Sequence, residues 1–305
     1  MSTTPSPPTL GFIGLGNIGG GISANLVADG HRMSVYDVDE GRAAPLVAAG
    51  ATRAESPGAV ATAADWTFLS LPSPAVMAAV AEQWLEGAAG SGKVLIDLTT
   101  NSPATVRAVG ARLAAGGSRL LEAPVTGGAP GARARQLVFI VGGDAELVAE
   151  VDPLLRTIGR ANFHMGPLGS GNVGKLVNSL MAFTTMWVSL EGLALAAKNG
   201  IDLRALVEMI RVSGGAASYL DRRVEGITER GRPAEFALEL AAKDAGLMLE
   251  AGLEVGVPMP VASALHQVLS FAKAQGLGGL DISDLVEVME RNAGVALHLR
   301  PADSD

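Results

Sequence analysis

The sequence predicts an α/β chain in two parts: a mostly parallel, doubly wound sheet with helices on its faces, then an all-α C-terminal part. Three observations carry this. Short β-branched runs alternate with alanine-rich helical patterns through the first half, the rhythm of successive βαβ units. From about Gly169 the strand signal stops and long runs of helical period replace it. Gly200, Gly256-Val257-Pro258 and Gly276-Leu277-Gly278-Gly279 fall between those runs, as helix-ending residues should.

Taken in order, residues 1–8 form a Ser/Pro/Thr tail without a basic or an apolar segment, expected to be disordered and to carry no targeting signal. Strands are predicted at Leu10 to Ile13, Met33 to Asp37, Trp66 to Leu71, Val94 to Leu98, Leu120 to Ala123 and Leu137 to Val141, with helices between the first five. Helices are predicted at Val173 to Asn199, Leu203 to Val212, Ala234 to Glu254, Pro260 to Gln275 and Ile282 to Asn292. The junction falls between Gly166 and Gly169, giving one domain over 9–167 and a second over 168–305, entered by a long interdomain helix.

A chain of 305 residues can bury two cores. Its formal charge of -8 argues against nucleic acid and anionic membranes, both of which select clustered Lys and Arg. Cysteine is absent, so thiolate chemistry and disulfides are excluded. The histidines at 31, 164, 266 and 298 share no ligand spacing, and no protein metal site is expected. Leu176 to Ala197 comes closest to a membrane span, but Asn178, Ser179, Ser189 and Glu191 interrupt it, which predicts a buried helix instead. The expected location is the cytoplasm and the expected partner a small molecule.

Gly14-Leu15-Gly16-Asn17-Ile18-Gly19 follows the first strand directly and opens a helix running to about Asp29. In that context the first glycine permits a tight turn, the second admits a pyrophosphate and the third lets helix and strand pack closely. The first part therefore reads as a Rossmann-type dinucleotide-binding domain. Asp37 stands at the end of the second strand, where a carboxylate accepts from a ribose 2'-hydroxyl and repels a 2'-phosphate, favouring NAD over NADP. It could instead cap the next helix, and Arg32 or Arg42 could reach a phosphate. Leu71-Pro72-Ser73 and Asp97-Leu98-Thr99-Thr100 leave later strands at the sheet end where cofactors bind. Ser73-Pro74 and Ser102-Pro103 also read as helix caps.

Glu122-Ala123-Pro124-Val125-Thr126-Gly127-Gly128 leaves another strand. Its glycine amides beside a hydroxyl can form an anion nest suited to a carboxylate substrate, or a simple turn. Lys175 is a lone lysine in an apolar stretch, with Asn178 one turn on and on the same helix face. Either its ammonium snorkels to water or its pKa drops into the range of an acid/base catalyst.

In order and spacing these motifs resemble those of the β-hydroxyacid dehydrogenase family, over nearly the whole chain. Gly11-Phe12-Ile13-Gly14-Leu15-Gly16-Asn17-Ile18-Gly19 resembles the family's opening signature, and Glu122 to Gly128 its substrate segment D-A-P-V-S-G-G. Gly169-Ser170-Gly171-Asn172-Val173-Gly174-Lys175-Leu176-Val177-Asn178 resembles the catalytic G-x-G-x-x-x-K-x-x-N. Lys243-Asp244, preceded by Phe236, resembles the segment that closes over the cofactor, and Val257-Pro258-Met259-Pro260 completes the set.

The resemblance implies a catalytic Lys175, substrate contacts from Thr126, Gly127, Gly128 and Asn178, and cofactor contacts from Thr100 and Lys243, with Phe236 beside the latter's segment; Leu71 and Pro72 are cofactor candidates by their place after a strand. It also implies a homodimer or homotetramer built through the helical domain. The implied reaction is NAD-dependent interconversion of a small 3-hydroxy carboxylate and its semialdehyde or keto acid.

Thr126, Glu122, Ser179 and Arg135 depart from the family's usual serine, aspartate, second amide and glycine. The loop Ser213 to Tyr219 is a further candidate wall of the substrate pocket. The alternatives are an NADPH-dependent glyoxylate/succinic semialdehyde reductase, an NADPH-linked imine reductase and a non-catalytic nucleotide sensor. Related imine reductases replace the lysine, so Lys175 weighs against that reading.

Overall fold

Short apolar runs separated by proline-started helices build the N-terminal part. In the computed structural model, which describes residues 7–216 and 233–297, the strands are β1 (Leu10–Ile13), β2 (Met33–Tyr36), β3 (Thr52–Arg53), β4 (Trp66–Leu69), β5 (Val94–Asp97), β6 (Arg119–Glu122), β7 (Val125–Thr126), β8 (Leu137–Gly142) and β9 (Gly159–Gly166). They form one nine-stranded sheet in the order β3-β2-β1-β4-β5-β6-β8-β7, with β9 beside β8. Residues of β1 and β5 are buried throughout, because helices cover both faces of a parallel sheet.

The helices are α1 (Asn17–Ala28), α2 (Glu40–Ala48), α3 (Pro57–Ala63), α4 (Pro74–Ala88), α5 (Pro103–Ala115), α6 (Gly128–Arg133) and α7 (Ala145–Ile158). Ser-Pro dipeptides start three of them. Ser56, Ser73 and Ser102 accept from the N–H groups of Ala59, Val76 and Thr105, and the following proline occupies a first-turn site that needs no donor. Phe12 and Phe68 stack at 5.6 Å across the centre of the sheet.

The first compact unit runs over Met1–Lys175 and the second over Leu176–Asp305. The division falls inside α8 (Ser170–Lys198). The second unit continues with α9 (Leu203–Arg211), α10 (Leu238–Glu254), α11 (Pro260–Ala272) and α12 (Leu285–Ala293). Its own core gathers Phe183, Met186, Leu190, Leu238, Leu265, Leu269 and Leu285.

The structure corrects the sequence reading in its missed strands and in α8, and bears out a mostly parallel sheet. β3, β7 and β9 are additional strands: β3 and β7 are two residues each, and most of β9 is exposed or half-exposed, so none shows the apolar run that marks a strand. The sheet is mixed at one end, since β8 runs antiparallel to β6 and β7. α8 is not a wholly buried helix: Leu176, Phe183, Met186, Leu190 and Leu193 are buried, whereas Val173, Val177, Met181, Val188 and Leu195 are exposed. Its length and apolarity alone would let it cross a bilayer.

Arg135, the departure from glycine, holds a left-handed φ of 58°. Its guanidinium grips Asp29 with both amino groups, at 2.7 and 2.8 Å, and donates to the carbonyls of Thr157 and Asn25. It thereby joins the ends of α1 and α7.

Candidate functional site at the carboxyl end of the sheet

The chain runs outward from β1 through β2 to β3 and then returns to β4 on the other side of β1, which makes the β1/β4 crevice the topological switch point. Gly14 leaves β1 there with φ +90°, and a Cβ at this position would lie 2.3 Å from the carbonyl oxygen of Ser70. Gly19 is fixed by packing, since its Cβ would meet the Gly14 carbonyl oxygen at 1.9 Å. At Gly16, by contrast, a Cβ would meet only the end of the flexible Arg42 side chain, at 3.5 Å. None of the described residues requires glycine there, so the small residue suits an external group approaching the backbone.

Gly16 is also the N-cap of α1. No side chain caps this helix start and no acidic residue stands in its first turn, as an arriving anion would require. Leu15 is buried, Ile18 is half-buried against the sheet core and Asn17 is exposed. These residues fit the pyrophosphate of a dinucleotide.

Asp37 follows β2 directly, and its side chain is nearly buried. It accepts from the N–H of Leu15 at 2.6 Å and from that of Asp39 at 2.8 Å, so it braces the glycine loop. The cap of α2 is Asp39, not Asp37. Arg42 lies 3.9 Å from Asp37 and half in solvent. Leu71 is half-buried, Pro72 is exposed, and the Leu71 N–H donates to the Thr99 hydroxyl at 3.1 Å, joining the loops after β4 and β5. Thr100, half-buried, follows immediately.

Beneath these loops lies a buried polar chain that the sequence did not disclose. Asp97 accepts from the Thr99 N–H at 3.0 Å and from the Asn101 side-chain amide at 2.6 Å. The Asn101 N–H donates to Asn172 Oδ1 at 2.7 Å, and Asn172 Nδ2 donates to Glu122 at 2.6 Å. Glu122 also accepts from the N–H groups of Gly169, Gly171 and Asn172 at 2.5, 2.9 and 3.1 Å. Asp97, Asn101, Glu122 and Asn172 are wholly buried. Burial pushes the Asp97 carboxyl up to about 7, with the Glu122 charge adding and the Thr99 and Asn101 hydrogen bonds opposing. Burial likewise raises Glu122 above the ordinary carboxylate range, against the pull of its four hydrogen bonds. The readable signal was Glu122 itself, a carboxylate in an otherwise apolar strand.

Thr126 ends β7 half-buried, and Gly127 and Gly128 form the start of α6. Asn25 on α1 donates to the Ala132 carbonyl at 2.9 Å, so α1 and α6 are fastened together. Lys175 is half-buried, one turn into α8, and Asn178 is exposed on the next turn of the same helix. In the second unit Phe236 stacks on Phe183 at 5.7 Å and its N–H donates to Asp281. Lys243 lies 2.9 Å from the buried Asp244 carboxylate. Of the loop Ser213 to Tyr219, positions 217–219 lie outside the described residues, and Ser213–Ala216 follow α9 as a turn.

Comparison with known proteins places the chain. Residues 9–166 match the family profile of the NAD binding domain of 6-phosphogluconate dehydrogenase, and residues 169–289 that of the NAD-binding domain of NADP-dependent 3-hydroxyisobutyrate dehydrogenase. The 2-(hydroxymethyl)glutarate dehydrogenase of Eubacterium barkeri is 34% identical over 94% of this chain and 97% of its own. The 3-hydroxyisobutyrate dehydrogenase of Pseudomonas aeruginosa is 35% identical over 90% and 96%. Among solved structures, Mycobacterium tuberculosis 3-hydroxyisobutyrate dehydrogenase with L-serine superposes with a TM-score of 0.84 at 27% identity, over 92% of this chain and 99% of that one.

Proposed function

The chain belongs to the β-hydroxyacid dehydrogenase family, and from that premise we propose that it interconverts a small 3-hydroxy carboxylate and its semialdehyde, with NAD as cofactor and Lys175 as general acid and base. That it is an NAD(P)-dependent dehydrogenase acting on a hydroxyl group follows from the family. The substrate class rests on the relatives. 2-(Hydroxymethyl)glutarate, 3-hydroxyisobutyrate and L-serine, named for three of them, share one skeleton, a primary alcohol on the carbon beside the carboxylate-bearing one.

The observation that carries the mechanism is the placement of Lys175. It sits one turn into α8, whose first residues are bonded to Glu122 at the carboxyl end of β6, the sheet end at which the glycine loop also opens. In oxidation Lys175 takes the hydroxyl proton, and in reduction its ammonium returns it. The bound nicotinamide supplies the hydride acceptor. The amides of Gly127 and Gly128 with the Thr126 hydroxyl hold the substrate carboxylate, and Asn178 orients the reacting oxygen. Thr100, Phe236 and Lys243 contact the cofactor.

Asp37 supports NAD over NADP, because a carboxylate just after the second strand of this fold accepts from a ribose 2'-hydroxyl and repels a 2'-phosphate. The exposed apolar row Val173, Val177, Met181, Val188 and Leu195 on α8 supports association with a second copy. Light scattering of the purified protein measures that directly, and a monomer removes it.

The test of the function is absorbance at 340 nm with NAD and NADP against a panel of 3-hydroxy acids and aldehydes. Lys175→Ala should lower turnover by at least about a thousandfold with cofactor affinity unchanged. Full activity in that variant removes Lys175 from the mechanism, and a preference for NADP removes the reading of Asp37.

A further inference from the structure

We propose that Glu122 is the positioning residue for Lys175: by gripping the first turn of α8 through four hydrogen bonds, it sets where the lysine stands and how strongly its proton is held. This rests on the role given to Lys175 above.

The geometry is built for this carboxylate. Gly142 pairs with Glu122 across the β6/β8 ladder, and a Cβ there would lie 2.1 Å from Glu122 Oε1. A Cβ on Gly171 would lie 2.5 Å from the Ile140 carbonyl oxygen. Gly169, with φ +98°, turns its N–H onto Oε1. The two glycines of the Gly169-Ser170-Gly171 segment therefore serve Glu122, and no ligand is needed to explain them.

Among the described residues four donors and no acceptor face the carboxylate, which favours its ionised form against the upward push of burial. An anion bonded to the first N–H groups of a helix fixes that end and complements its dipole. Lys175 follows Asn172 by three residues on the same helix, so a shift of the first turn is a shift of the lysine. The grip extends through Asn172 and Asn101 to Asp97 and, by Thr99, to the loop after β4. Lysine placement is thus tied to the cofactor-facing loops of β4 and β5.

Among the described charged groups, Asp97 on β5 feels the Glu122 charge, Arg107 on α5 lies against Gly169, and Lys175 follows Asn172 one turn along α8. Glu122→Gln keeps length and removes the charge. Expected is a fall in kcat of about tenfold to a hundredfold with the cofactor KM unchanged, and a displacement of the acid limb of the oxidation profile to lower pH by about one unit. Glu122→Asp should return the limb to its wild-type position, with kcat between the two. Making Asp97→Asn in both backgrounds removes the other titrating carboxylate from the comparison.

Should Glu122→Gln fail to fold, Asn172→Ser deletes one donor and leaves the charge. A several-fold fall in kcat without displacement of the limb is then expected. A Glu122→Gln enzyme with wild-type kcat and profile, or one altered only in melting temperature, overturns the proposal, as does wild-type kcat in Asn172→Ser. Lys175→Ala run in parallel separates the two ideas: an active lysine variant sinks the general-base reading, whereas an inactive one beside wild-type Glu122 and Asn172 variants sinks only the positioning role.

Discussion

Gly16 and Gly19 make opposite demands, and substituting each with alanine separates folding from cofactor binding. At Gly19 an added Cβ would stand 1.9 Å from the Gly14 carbonyl oxygen and 2.9 Å from the Phe12 ring. Contacts of that kind need well over 3 Å, so α1 must retreat from β1 by more than an ångström. Overpacking of this degree costs about 1–3 kcal/mol, which lowers the melting temperature by about 3–10 °C for a domain of this size.

At Gly16 the added methyl meets only Arg42, at 3.5 Å, and φ is an ordinary -67°. Gly16→Ala should melt within about 3 °C of wild type, since relief of unfolded-state entropy there is worth at most about 1 kcal/mol. Its methyl nevertheless stands where the pyrophosphate has to approach. The dissociation constant for NADH, read by fluorescence titration, should rise at least about tenfold, a loss of about 1.4 kcal/mol. The reasoning fails if Gly16→Ala binds NADH normally, or if Gly19→Ala melts with the wild type.

Asp97 supplies a pH test. Its folded value of about 7 lies above the unfolded carboxylate value, so its contribution favours the folded state most at low pH and is lost as pH rises from about 4 to about 7. Asp97→Asn abolishes this slope, and the variant should gain on wild type across that window and hold level above it. The Asn101 amide can turn to suit, because its Oδ1 has no partner among the described residues. A constant difference in melting temperature between pH 4 and 8 would contradict this. Arg135→Ala keeps the left-handed backbone and loses the clamp on Asp29, whereas Arg135→Gly loses the clamp and the strain together. The glycine variant should therefore be the more stable of the two by about 1 kcal/mol in urea melts, and the reverse order refutes the strain. Arg42→Ala should leave kcat/KM with NAD within about twofold and weaken any residual use of NADP; a large loss with NAD would move Arg42 into the NAD site.

Most of the first unit was legible because its central strands are apolar on both faces and three of its helices begin with Ser-Pro. β9 was not, because Arg160, His164 and their neighbours face outward and leave no apolar run. Asp37 was found, but its bond to the Leu15 N–H is a long-range contact that no local pattern encodes. The same holds for the chain from Asp97 to Glu122. Each member was visible as a polar residue near a strand end, and only the pairing of β5 with β6 brings them together. Arg135 was legible only as a departure from glycine and proves to be a fastening between helices, since the sequence carries no sign of its partner Asp29.

The hydrogen bonds of Gly169 and Gly171 to Glu122 bear on how active relatives are recognised. Selection for a stable helix start preserves those glycines whether or not any chemistry follows, so a descendant that had lost its lysine would still score well against the surrounding motif. Sorting such genomes into working enzymes and retired scaffolds should therefore weigh position 175 alone, and treat the flanking glycines as ancestry.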